Sequence, residues 1–320
     1  MPETRRQGVL LVHGIGDQKP DWAAAIIPEF LSRVQAAAES LHLGGASPDP
    51  EQFVAVQAAH WAEILEVKQR VLSDILRHSP DLVELRGFWP WEWWRRAAAW
   101  FRRKERGFVA GYLGDVVGYR APGAYVAIQE ALLTGLETLA SQMGARGPTG
   151  TGIKRPLTIV AHSLGCVVAS DFLWDRTKAR ATEGEIGFHP TFFLRNLFTV
   201  GSPLALFSLS FGGPEVFNQP VKVESDDGRW VNIYDRDDPV AMPLKPLNSA
   251  YDRVVLADAR VQAGLYLVAH DGYFRNGPCL DAIARKLVLD WAVDNAAVPA
   301  EQLARWARTY DESLLLGDDA

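Results

Sequence analysis

Short β-branched apolar runs alternate along this chain with longer segments whose apolar residues recur at three- and four-residue spacing. No other feature constrains the fold as strongly. Runs bounded by turn residues at 8–12, 53–57, 157–160, 197–200, 230–234 and 253–256 read as strands. Apolar stripes predict helices over 22–41, 124–141, 164–179, 280–292 and 301–310. Gly, Pro, Asp and Ser cluster at 44–50, 144–156 and 212–228 and mark loops. Strands separated by helices pair in parallel, because a parallel neighbour is reached only through a crossover, and the helices then cover the faces of the sheet. The expectation is an α/β fold with a mostly parallel central sheet flanked by helices. The chain carries no internal repeat and no low-complexity tract.

Composition narrows the function classes. Hydrophobic residues at 48% and charged residues at 22% describe a globular protein and exclude disordered, collagen-like and coiled-coil chains. A net charge of −6 argues against a nucleic-acid partner. Two cysteines, Cys166 and Cys279, form no disulfide framework, and the first apolar run begins at Val9, too early for a signal peptide. A reducing, cytoplasmic setting is expected. No stretch approaches the roughly 18 apolar residues of a membrane span, although a protein that lies on a membrane surface is still allowed.

Between Ile159 and Val167 an apolar strand passes into a helix through Ala161-His162-Ser163-Leu164-Gly165. This is the pattern of the nucleophile elbow of α/β-hydrolases. A tight turn lifts the serine hydroxyl above the sheet, and small residues two before and two after it let strand and helix pass without collision. Ala161 takes a place where Gly is usual and still adds little bulk. The plain alternative is a serine that merely starts a helix. Catalysis in this design needs two N–H donors for an oxyanion, one from the residue after the nucleophile and one from the loop after an early strand. Leu164 supplies the first. Val12-His13-Gly14-Ile15-Gly16 supplies the loop, with Ile15 as the second donor and His13, Gly14 and Gly16 beside the substrate; an ordinary strand-to-helix connection is the alternative. This loop lacks the last Gly of G-x-G-x-x-G, and the Gly-rich run 147–154 lacks the Gly-Lys-Ser/Thr of a phosphate loop and precedes a strand instead of following one.

In this fold the triad runs in the order Ser, acid, His. Only His189 and His270 follow Ser163, and His189 precedes the acids after strand 230–234, which leaves His270. Asp235, Asp237 and Asp238 compete for the acid. Asp238 is favoured because Pro239-Val240 makes a turn able to fix its carboxylate at the top of the sheet. His270 then takes the proton of Ser163, and Asp238 orients the imidazole and stabilises its charged form. His162 and Ser202, the latter in Gly201-Ser202-Pro203, are expected to line the substrate pocket, although a structural Ser202 is the simpler reading. His42, His60, His78 and His189 lack ligand spacing, so neither a metal nor a cofactor is expected. Cys166, in the helix behind the elbow, reads as a small buried hydrophobe.

The residues resemble the intracellular phospholipase A enzymes that carry a DDHD domain, over roughly 8–276. The echoes run in sequence: Val56-Gln57-Ala58-Ala59-His60-Trp61, Asp115-Val116-Val117-Gly118-Tyr119, the serine elbow, Gly201-Ser202-Pro203-Leu204-Ala205-Leu206-Phe207, and His270 with Tyr273-Phe274. Most specific is Asn232-Ile233-Tyr234-Asp235-Arg236-Asp237-Asp238-Pro239-Val240-Ala241, similar to the family's Asn-Ile-x-x-x-x-Asp-Pro-Val-Ala segment. The chain departs from the pattern after Phe274, where the family's last acidic residue has no match in Arg275-Asn276-Gly277-Pro278, and it is more compact than the eukaryotic members. The resemblance implies an acyl ester of a lipid as substrate.

A second feature bears on lipid. Residues 86–106 hold five of the eleven tryptophans, with seven basic and two acidic side chains. Wound as a helix, Trp89, Trp93 and Trp100 share one edge with Trp94 and Phe101 beside them, while Arg95, Arg102 and Arg106 lie opposite. That is the pattern of an interfacial helix and of peripheral association with an anionic membrane. A tryptophan face packed into the core, with arginine stems covering it, is the competing reading. Together these expectations describe a single α/β-hydrolase domain over 1–320 with 62–122 inserted as a helical cap or lid. It would be a serine ester hydrolase of acyl esters, of phospholipid or another lipid. The alternatives are a short-chain carboxylesterase or thioesterase on soluble substrates, and a silent membrane-binding or scaffold module that keeps the fold. Oligomeric state is not legible.

Overall fold

A computed structural model of the chain describes residues 5–14, 21–43, 48–65, 118–144, 154–264 and 267–315. Six strands form one sheet: β1 (Gln7–Val12), β2 (Val54–Ala59), β3 (Arg155–His162), β4 (Phe192–Val200), β5 (Arg229–Tyr234) and β6 (Val255–Arg260). They lie in the order β2-β1-β3-β4-β5-β6, and every neighbouring pair is parallel. The described helices are α1 (Ile26–Ser40), α2 (Pro122–Gln142), α3 (Leu164–Thr182), α4 (Leu204–Phe207), α5 (Ser249–Val254), α6 (Leu267–Gly272), α7 (Gly277–Asp294) and α8 (Ala300–Leu315). The chain is thus an α/β protein with an all-parallel sheet between helical layers.

The two-residue period of the strands sorts side chains onto the two faces. Leu10, Val12, Ile159, Ala161, Leu197 and Trp230 pack with Ile128, Leu132, Leu136 and Leu139 of α2 and with Val167, Val168 and Phe172 of α3. Val9, Leu11, Val160, Phe198, Val231 and Ile233 pack with Phe30 and Val34 of α1 and with Leu280, Ile283, Leu287 and Val288 of α7. Both faces are covered, so β1 is buried along its whole length, and its continuous apolar run is the mark of a central parallel strand. Each large aliphatic side chain buried in these layers contributes about 1.5–3 kcal/mol.

Two strands depart most from the sequence expectation, and the short helices α4, α5 and α6 were not among the expected ones. The run expected as a strand at 253–256 straddles a boundary: Arg253 and Val254 end α5, whose cap Asn248 accepts the N–H groups of Ala250 and Tyr251, and β6 begins at Val255. Apolar residues on both sides of a helix-to-strand junction hide the junction. Strand β4 begins at Phe192, five residues before the expected 197, because Arg195 and Asn196 interrupt its apolar pattern. The structure accommodates them at a register shift against Leu157 and Thr158 and pairs them internally. Arg195, 2% exposed, binds Asp294 at 2.6 Å, lies 3.5 Å from Asp290 and also contacts Asp227. Asn196 donates to Thr158 Oγ1 at 2.9 Å and to Asp290 Oδ2 at 2.7 Å, and Lys286 also meets Asp290. This network lies where β4 and β5 begin, at the opposite end of the sheet from the loops that carry Ser163 and His13.

Nearly all of the expected cap at 62–122 lies outside the described residues, and with it Trp89, Trp93, Trp94, Trp100 and Phe101. No described helix is long and apolar enough to cross a membrane. Asp290 accepts from Asn196 and Lys286 and lies beside Arg195, so Asp290→Ala is expected to cost about 3–5 kcal/mol by leaving the buried Lys286 without its carboxylate. The loss is read as a lowered denaturant midpoint, and a midpoint unchanged within error would rule out this account of the network.

Candidate active site

Strand β1 lies between β2 and β3, so the chain turns from one side of it to the other. At such a switch point the loops at the carboxyl ends of adjacent strands diverge and leave a crevice. His13-Gly14 follows β1 and Ser163 follows β3, so both stand at this switch point. Ser163 sits at φ 55°, ψ −130°, a conformation that L-residues rarely adopt. Its N–H donates to Val200 O at 2.9 Å. The loop and α3 meet backbone against backbone. A Cβ at Gly165 would lie 2.3 Å from His13 O, and one at Gly14 would lie 2.6 Å from Ser163 Cβ. Only glycine fits either position.

His270, on α6, completes the geometry. Its Nε2 lies 2.7 Å from Ser163 Oγ, and its Nδ1 lies 2.8 Å from Asp238 Oδ2. Because a neutral imidazole has one donor and one acceptor, Nδ1–H donates to the carboxylate and Nε2 accepts the serine hydroxyl. Ser163, His270 and Asp238 are 0%, 1% and 3% exposed. Burial alone would push the Asp238 carboxyl up. The hydrogen bond and charge of His270, with the N–H of Val240 and the hydroxyl of Tyr273, outweigh it and hold the group below the usual carboxylate range. Of the three competing acids, Asp238 is the one that His270 meets. Asp235 is also buried but accepts the N–H groups of Asp237, Ala263 and Gly264, clamping the chain that leads to α6. Asp237 is exposed.

Comparison with protein-family models, curated proteins and solved structures finds no match to this chain. What the site can do therefore rests on its geometry. It holds a hydroxyl on an imidazole, an imidazole held by a carboxylate, and a helix start whose first N–H, that of Leu164, has no intrahelical partner.

The other expected site residues divide. His13 is 1% exposed and stacks on Trp61 with ring centroids 4.7 Å apart and planes 10° apart. The Trp61 N–H donates to its Nε2 at 3.1 Å, so its Nδ1–H donates to Gly14 O at 2.7 Å. His162 donates from Nε2 to the main-chain oxygen of His270 at 2.7 Å. Ser202 is fully buried in the turn after β4, its Oγ accepting the Leu204 N–H. Ile15 and Gly16 lie outside the described residues. Cys166 is buried, its thiol pushed up to about 12 by burial. Among the described residues no group of three or more His, Cys, Asp or Glu is placed to hold a metal.

Sequence reasoning missed the supports. Asn232 on β5 donates to Asp258 of β6 at 2.7 Å and to Met242 O at 3.0 Å, while Asp258 accepts the N–H groups of Leu244 and Lys245. These bonds fix the loop that follows Asp238. The available signal was two polar residues inside apolar strands, each of which needs a buried partner.

Burial lowers three histidines: His13 to about 4, His162 to about 3 with the neighbouring His270 adding to it, and His189 to about 4 with nearby cations adding to it. The unfolded chain therefore binds more protons than the folded one as pH falls below about 6.5, and stability falls with it. The expected loss between pH 6.5 and 4 is on the order of 3 kcal/mol per histidine. Denaturant titrations across that range measure it, and His189→Gln, far from the triad, is expected to flatten the slope.

Proposed function

We propose that this protein is a serine hydrolase of the α/β-hydrolase fold that cleaves carboxylic acyl esters through Ser163, His270 and Asp238. The observation that carries the reading is the pair of hydrogen bonds from one imidazole, 2.7 Å to Ser163 Oγ and 2.8 Å to Asp238 Oδ2, on a serine held at φ 55°. A serine that merely caps a helix has no reason to adopt that backbone conformation or to meet a base that is itself held by a carboxylate. The strand order β2-β1-β3-β4-β5-β6, with Ser163 after β3, the acid after β5 and the histidine after β6, supports the same reading.

The chemistry follows from the donors and acceptors. Ser163 Oγ attacks the carbonyl carbon while His270 Nε2 takes its proton, and Asp238 stabilises the imidazolium formed. The negative charge that gathers on the carbonyl oxygen is met by the Leu164 N–H and, by the sequence assignment, the Ile15 N–H. His270 then gives its proton to the departing alcohol oxygen. In the second half His270 takes a proton from water, hydroxide adds to the acyl carbon, and Ser163 leaves with the proton returned to it.

A lipid acyl ester is the proposed substrate class. Its support is the resemblance to DDHD-domain phospholipases and the tryptophan- and arginine-rich segment 86–106. Peripheral contact with a membrane surface belongs to the same proposal.

Incubation with a fluorophosphonate serine probe is expected to give one stoichiometric adduct by intact mass, absent in Ser163→Ala. Lack of an adduct, with anionic vesicles or detergent also present, would overturn the hydrolase reading in favour of a silent module. In a chain-length series, hydrolysis of long-chain acyl esters in vesicles supports the lipid assignment; activity confined to short soluble esters or thioesters removes it. Replacing Trp89, Trp93 and Trp100 together with Ala is expected to weaken binding to anionic vesicles in sedimentation assays, and unchanged binding by the folded variant would sink the membrane contact.

A further inference from the structure

The hydroxyl of Tyr273 touches the triad acid on the oxygen that His270 uses. It donates to Asp238 Oδ2 at 2.8 Å and accepts the main-chain N–H of Asp235 at 2.9 Å. The other carboxylate oxygen, Oδ1, accepts the Val240 N–H at 3.0 Å. Asp238 thus holds three donors: an imidazole, a phenol and an amide.

The ring is held as tightly as the hydroxyl. Tyr273 is 0% exposed and lies across the end of β4, where Gly201 stands at φ 59°. A Cβ at Gly201 would approach Tyr273 Cε2 to 2.7 Å, so glycine is what lets the ring lie there. His162 flanks the ring at 5.8 Å between centroids. Tyr273 begins the single turn after α6, three residues beyond His270, so the histidine and the phenol approach Asp238 from one short stretch of chain.

We propose that Tyr273 is a positioning residue of the triad, setting the orientation of Asp238 and the share of its negative charge that reaches His270. This rests on the serine hydrolase reading. A phenol on Oδ2 draws charge density from that oxygen, which tempers the pull of the carboxylate on the imidazole proton. It also removes the rotational freedom that a carboxylate held by His270 and one amide would retain. Burial and the adjacent Asp238 keep the Tyr273 hydroxyl protonated, so it acts as a donor to the carboxylate throughout the working pH range. Among the described residues the charged and titratable groups facing this point are Asp235 and Asp238 from the loop after β5, His270 from α6 and His162 from the end of β3.

The test is the rate of phosphonylation of Ser163 by the fluorophosphonate probe, followed against pH in wild type, Tyr273→Phe, Asp238→Asn and the double variant. Tyr273→Phe keeps the ring and deletes the donor. It is expected to slow labelling about tenfold and to move the acid limb upward by several tenths of a pH unit, because the carboxylate now acts on His270 undiminished. In the Asp238→Asn background the same change is expected to matter less than twofold, since its target is gone. A merely structural tyrosine would lower the fraction of labelled protein and the melting temperature, but not the midpoint or the coupling. Equal rates and midpoints in wild type and Tyr273→Phe, or equal slowing in both backgrounds, overturn the proposal. Absence of labelling in wild type refutes the hydrolase reading instead. Tyr273 is then read from the low-field proton resonance of His270 Nδ1–H, which shifts in Tyr273→Phe if the phenol shares Asp238 and stays in place if it does not.

Discussion

The active-site end of the molecule depends on one close approach: the main chain leaving β1 lies directly on the main chain entering α3. The His13 carbonyl occupies the space that any side chain at residue 165 would need, and Gly14 lies against Ser163 in the same way. This contact joins β1 and β3 at the point where the sheet turns from one direction of growth to the other. It also forces the turn between β3 and α3 to be tight. The resulting backbone conformation at Ser163 costs on the order of 1–3 kcal/mol. It persists because its surroundings leave no alternative: the Ser163 N–H is bonded to Val200 O, β3 is locked between β1 and β4, and the first turns of α3 are buried against the sheet.

A sheet covered on both faces has no water to satisfy polar groups, so each polar residue placed inside it demands a partner. The chain uses this demand twice. At the amino ends of the strands, Arg195 and Asn196 of β4 meet the carboxylates of α7 and tie that helix to the sheet, while Lys286 of α7 pairs with Asp290 and donates to Asp227 O. Toward the other end, Trp230 donates to Thr199, Thr199 to Asn232, and Asn232 to Asp258, which stitches β4, β5 and β6 together and fixes the segment after Asp238. The first network acts on stability. The second acts on position, because the triad acid sits at the head of the loop it holds.

Period and turn chemistry made most of the strands, the long helices and the parallel layering legible, and the small residues on either side of Ser163 made its strand-to-helix turn legible. Five of the six strands were located by their apolar runs; β6 was misplaced by residues that belong to a helix end. The three triad positions were readable because chain order restricts them: one serine in a strand-to-helix turn, one histidine late enough, and three aspartates after the fifth strand. Choosing among those aspartates rested on a local turn, and the geometry that singles out Asp238 comes from His270 and Tyr273, which are far away in sequence. Tyr273 stood out only as part of the echo with His270 and Phe274, with no role attached to it. A tyrosine near the triad histidine reads as core until the fold brings its hydroxyl to a carboxylate. The strand expected at 197–200 began too late for the opposite reason: a charge such as Arg195 in an apolar run argues against a strand unless carboxylates on a distant helix meet it.

If Ser163 reacts as proposed, the burial of Ser163, His270 and Asp238 governs how that chemistry is driven. With Ser163, His270 and Asp238 nearly sealed from solvent, their hydrogen bonds act in a medium far less polarisable than water, where each is stronger and its geometry less negotiable. In the proposed reaction the carboxylate must already be ionised and aligned when the imidazole takes up a proton. The donors on Asp238 accomplish the first against the effect of burial, and the rigid loop after β5 accomplishes the second. An exposed triad would need fewer supports, because water would solvate whatever the protein left unsatisfied. The density of second-layer hydrogen bonds around Asp238 is therefore the structural counterpart of a dry site: the drier the nucleophile, the more of its surroundings must be fixed in advance.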